Sequence, residues 1–70
     1  MQKPMRADVG ELIYVPSEVV LFKGESKQIS DWTKTKAPVN LLVTNVNNST
    51  YEVFYNNEYW LVERSSTYKL

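Results

Sequence analysis

Residues 50–63 read TYEVFYNNEYWLVE, and the two asparagines at its centre decide how the whole chain is read. Asparagine tolerates positive φ better than any residue but glycine, so Asn56-Asn57 suits the type I′ reversal whose twist matches that of paired strands. On either side, β-branched and aromatic residues dominate the apolar positions, which argues for strands. A reversal at the asparagines fixes the register. Tyr55 then faces Glu58, Phe54 faces Tyr59, Val53 faces Trp60, Glu52 faces Leu61 and Tyr51 faces Val62, with successive pairs on opposite sides of the sheet. Tyr51, Val53, Trp60 and Val62 are expected on the core side. Phe54, Tyr59 and Leu61 are expected on the other side, among Glu52, Asn56 and Glu63.

Outward from this hairpin, VNLLVTNV (residues 39–46) reads as a strand and NNS (47–49) as a turn, completing a three-stranded meander. Beyond Glu63, Arg64-Ser65-Ser66 suits a single 3-10 turn, and residues 67–70 a short closing strand. Upstream, residues 11–15 form a first strand, entered through Gly10 and stopped by Pro16-Ser17, because proline cannot donate to a sheet ladder. A second extended piece, residues 19–23, follows. The stretch GESKQISDWTKTKAP (24–38) reads as a long polar connection in which Ser30 caps one helical turn over residues 31–34. Residues 1–8 are expected to be a flexible tail. The chain reads as mostly β and as one domain over residues 1–70, since no segment keeps apolar residues at helical spacing over three turns.

With 70 residues, no Cys and no His, there is neither a disulfide nor a thiolate nucleophile, and the commonest general base and zinc ligands are missing. No glycine-rich phosphate loop or calcium-loop spacing occurs. No enzyme activity, cofactor or metal is expected. Glu52 and Glu63 share a face beside Leu61 and read as solvated carboxylates. Eight basic and eight acidic residues cancel, which removes the general electrostatic argument for nucleic-acid binding. Basic residues gather between Lys23 and Lys36, whereas residues 37–63 hold Glu52, Glu58 and Glu63 and no Lys or Arg. No apolar run approaches the roughly 18–20 residues that span a bilayer, and the N-terminal stretch lacks a signal-peptide pattern. A soluble, cytoplasmic protein without membrane contact is expected.

Two groups of side chains qualify for contact with a partner. Trp32 either folds back to plug an open end of the fold, the favoured reading for a large aromatic, or stands out beside Lys34 and Lys36, where it can stack on a base or fill a pocket. Phe54, Tyr59 and Leu61 are either covered by the 19–23 arm or form an exposed apolar patch.

The order of elements, a strand, a long excursion, a meander with a tight final hairpin, a one-turn connector and a short closing strand, resembles the SH3-like barrel. The resemblance implies a five-stranded antiparallel barrel with a long first loop. The texture of VGELIYVPSEVVLF, YEVFYNNEYWLVE and SSTYKL is similar to that of small SH3-like proteins encoded by tailed bacteriophages, which implies action in the host cytoplasm. Peptide-binding SH3 domains carry an ALYDY-like segment and a Trp at the head of the third strand. IYVPS stands here instead, and Trp60 follows the distal turn. The expected function is a non-catalytic protein-interaction module acting on a host or viral protein. The alternatives are a nucleic-acid-binding accessory protein using Trp32, Lys34 and Lys36, and a structural virion subunit. A monomer or weak homo-oligomer is expected.

Overall fold

The computed structural model describes residues 6–25 and 28–70. Among them run seven strands: β1 (Leu12–Val15), β2 (Val20–Glu25), β3 (Gln28–Lys34), β4 (Val39–Val46), β5 (Thr50–Tyr55), β6 (Glu58–Glu63) and β7 (Tyr68–Lys69), with a 3-10 turn over Arg64–Ser66 before the last. They form one antiparallel sheet in the order β3-β2-β6-β5-β4-β1-β7. The sheet is open, and β3 and β7 are its edges. The all-β reading holds. A closed barrel of five strands does not form.

The β5–β6 hairpin has the expected register at every pair from Tyr55↔Glu58 to Tyr51↔Val62. Asn56 and Asn57 take φ of 57° and 66°, the positive values a type I′ reversal requires. Tyr51, Val53, Trp60 and Val62 are buried, together with Ala7, Ile13, Val15, Leu21, Leu41 and Val43. A single core therefore lies against one face of the sheet. The aromatic members bring their polar atoms to partners: Trp60 Nε1 donates to the Tyr55 carbonyl at 3.1 Å, and Tyr51 Oη accepts from the Ala7 N–H at 2.8 Å. That second bond corrects the expected tail. Ala7 is fully buried, so the fold takes in residues 6–8, and only residues 1–5 of the proposed tail lie outside the described residues.

The largest departure falls in residues 24–38. No helical turn forms over residues 31–34. Gln28–Lys34 is instead an edge strand paired with β2, from Val20↔Lys34 to Glu25↔Gln28. Its neighbour below, Thr35, is buried and closes the base of this hairpin. Its Oγ1 accepts from the Val19 N–H at 3.0 Å and donates to the Pro16 carbonyl at 2.7 Å, while its backbone bonds Glu18 and Val19. Expectations resting on Ser26 and Lys27 lie outside the described residues.

Two bulges set the shape. On β4, Val43 pairs with Val53 but Asn45 pairs with Glu52, so Thr44 is an extra residue. The bulge shifts the phase of the strand: Leu41 and Val43 point inward, and Val46 rather than Asn45 packs against the core beyond it. Thr44 Oγ1 lies 2.8 Å from Glu52 Oε1 and 3.1 Å from the Glu52 carbonyl oxygen. On β3, Lys23 pairs with Asp31 and Gly24 with Ile29, leaving Ser30 as the extra residue. Gly24 has φ +111°, and a Cβ there would meet the Gln28 carbonyl and lie 2.8 Å from the Ser30 nitrogen. Only glycine fits that approach.

Candidate interaction surface

The face of the sheet turned away from the core carries the candidate site. Leu12 pairs with Leu42 and Phe54 with Tyr59. Since Val43 pairs with Val53, Leu42 stands beside Phe54, and the four side chains form one row across β1, β4, β5 and β6. Their exposures are 48%, 44%, 41% and 57%, so each leaves about two-fifths or more of its surface open. Phe54 and Tyr59 meet edge to face with centroids 5.1 Å apart, the arrangement that aromatic quadrupoles favour.

A second row runs parallel to the first. Phe22 pairs with Leu61 on one side and with Trp32 on the other, and Glu52 pairs with Leu61. Cα partners share a face, so Glu52, Leu61, Phe22 and Trp32 all lie on the outer side. The Ser30 bulge adds Ile29 to it. Gly24, the partner of Ile29, is two residues from Phe22, so the extra residue in β3 turns Ile29 to the same side as Trp32 although three positions separate them.

Phe22↔Leu61 is the β2–β6 pair in register. Shallow grooves open around it. One of about 580 Å³ is lined by Phe22, Ile29, Leu61, Glu63 and the Asn47–Thr50 turn. Another of about 410 Å³ shares Phe22, Ile29 and Glu63 and reaches Glu18 and Ser66. Arg64 holds the turn that forms one groove wall, donating through its guanidinium to the Asn48 carbonyl and through its N–H to Ser49 at 2.9 Å.

The structure brings Phe54, Tyr59, Leu61 and Trp32 onto one face. Trp32 is 59% exposed, which corrects the favoured expectation that it plugs an end of the fold; Ala7, Tyr51 and Trp60 fill the core instead. Leu61 is half-buried beside Phe22, so the β2 arm covers it in part and leaves Phe54 and Tyr59 open. Lys34 shares the face of Trp32, but its Nζ is 3.7 Å from Glu18 Oε1. Lys36 lies beyond the strand in an exposed bend. Lys23 points to the opposite side, where its ammonium pairs with Glu58 and sits 4.6 Å from the centroid of Trp60.

Leu12, Leu42, Phe22 and Ile29 were not legible as site residues. LIYV and LLV are unbroken apolar runs in which alternation gives no phase, and Ile29 depends on a bulge. The glycine at position 24, amid polar residues, was the available signal for that bulge. Among the described residues no group of three or more acidic side chains could hold a metal ion, and no helix is long and apolar enough to cross a membrane. No family model matches the chain, and neither a curated protein nor a solved structure matches it.

Proposed function

We propose that this chain is a non-catalytic protein-interaction module whose outer sheet face meets a partner protein. The exposed row Leu12–Leu42–Phe54–Tyr59 carries this reading. Scattered apolar residues are ordinary on a protein surface, but contiguous ones aligned across four strands mark a contact site. Aromatic side chains at such a site supply large contact area at low entropic cost. Photo-crosslinking from a benzophenone amino acid at position 59, compared with one at exposed Ser17 in the turn after β1, tests it. Partner adducts should form from position 59 and vanish in Phe54→Ser/Leu42→Ser; adducts unaffected by those changes would refute the assignment.

An SH3-like kinship belongs to the same proposal. The order β7-β1-β4-β5-β6 supports it, with the β2–β3 hairpin in the place of the long first loop. Encoding by a tailed bacteriophage and action in the host cytoplasm rest on the sequence texture alone.

The exposure of Trp32 favours a second reading, an accessory protein that stacks nucleic-acid bases on this ring beside Lys34 and Lys36. The Glu18–Lys34 pair weighs against it. Titration with single-stranded and duplex oligonucleotides at low salt decides the matter, since electrostatic binding is strongest there.

A further inference from the structure

The four strands bearing the exposed row are LIYV, VNLLVTNV, TYEVFY and EYWLVE, and they contain no Lys or Arg. Their charges are Glu52, Glu58 and Glu63. Glu58 pairs with Lys23 on the core side of the sheet. Glu52 lies on the outer face next to Leu61 and receives the Thr44 hydroxyl at 2.8 Å. Glu63 follows two residues later on the same face and borders both grooves. Among the described residues, neither of these two carboxylates has an ion-pair partner. Within these four strands the outer face is therefore an apolar row edged by negative charge alone, and Lys34, the cation that β3 adds to this face among the described residues, lies at the edge of the sheet beside Glu18.

Such a surface selects its occupant. A second copy laid face to face would bring two more pairs of Glu52 and Glu63 carboxylates to the contact and no cation from these four strands, and like charges oppose close approach within a Debye length of about 8 Å. Anionic lipid headgroups and nucleic-acid phosphates meet the same repulsion. A partner with an apolar stripe bordered by Lys or Arg gains on both counts. The row spans three strand intervals of about 4.8 Å, roughly 14 Å. A helix of about ten residues covers that length, and its pitch of about 5.4 Å sets one apolar side chain per turn near one strand.

We infer that the outer face takes a cationic amphipathic helical segment of a partner protein, with its apolar stripe on Leu12, Leu42, Phe54 and Tyr59 and its basic flank toward Glu52 and Glu63. This rests on the interaction-module reading and adds the chemistry of the partner.

The test uses the full chain and three synthetic 14-residue peptides: an amphipathic Leu/Lys helix, its Leu/Glu counterpart and a scrambled Leu/Lys peptide. Binding is read by anisotropy and by backbone amide shifts. The Leu/Lys helix should perturb amides at Leu12, Leu42, Phe54 and Tyr59 and weaken as salt rises. Glu52→Gln/Glu63→Gln should reduce its affinity about three- to tenfold, the range for two rim charge pairs. Glutamine keeps an oxygen to accept from Thr44, so the double variant retains the fold, verified by its unfolding midpoint. Equal binding of the Lys and Glu helices at this row would overturn the charge inference and leave the module reading intact. Binding of the scramble as tightly as the helix, no binding of the Leu/Lys helix, or perturbations elsewhere would also overturn the inference. So would dimerisation in sedimentation that Tyr59→Ser abolishes, which makes a second copy the occupant. Failure of the photo-crosslinking test above removes both readings.

Discussion

Thr35 joins the β2–β3 hairpin to the turn at Pro16–Val19 through one buried hydroxyl. Thr35→Val keeps the shape but leaves the Val19 N–H and the Pro16 carbonyl without that partner, which costs about 1–3 kcal/mol. Urea titration should find a lower midpoint with an unchanged slope. Ile13 and Phe54 give the sharper contrast, because one is fully buried and the other 41% exposed. Ile13→Ala should cost about 2–5 kcal/mol. That is a large part of the roughly 4–10 kcal/mol expected for a domain of this size. Phe54→Ser should fall within about 1 kcal/mol of the parent. If both changes destabilise alike, Phe54 belongs to the core and the outer face is misassigned.

The β5–β6 hairpin is the element most dependent on two side chains. Asn56 and Asn57 both hold positive φ, so Asn56→Ala/Asn57→Ala should cost about 1–2 kcal/mol per position, whereas Asn57→Gly should be tolerated, with thermal midpoints as the measure. This hairpin was readable from sequence because the paired asparagines set the register, and the register assigns every side chain between Tyr51 and Val62 to a face. The β3 strand was not. QISDWTK packs on β2 along one edge and is exposed at nearly every position, so no buried half imposes alternation. Its serine and aspartate satisfy a helix-start pattern equally well. Trp32 departs from the expected burial for the same reason, since burial of a large ring is an average tendency and an edge strand beyond the core has no interior to offer it. Lys23 helps fix this hairpin to β6 through Glu58 and the Trp60 ring. Lys23→Met should alter Trp60 emission while costing under about 1 kcal/mol, because the pair is partly exposed.

At the scale of the molecule, fold and contact surface are two sides of one sheet, and the inside was far easier to read than the outside. Burial leaves a periodic trace in the sequence. An exposed row assembled from four strands leaves none until the registers of β1 with β4 and β4 with β5 are known. Separability of the two sides is therefore the prediction for the whole protein. Leu12→Ser/Leu42→Ser/Tyr59→Ser should keep the circular dichroism and amide dispersion of the parent while losing partner adducts. Collapse of the spectrum would mean that the outer side holds the fold together. The bulges carry a last consequence for chain length. If Thr44 is removed, Leu41, Val43 and Val46 fall into strict alternation, and if Ser30 is removed, Ile29 and Asp31 keep their sides. A deletion inside either strand thus leaves every remaining side chain facing as before and takes away a bend and, at Thr44, the hydroxyl bonded to Glu52, so this protein can change its length in its strands and not merely in its turns.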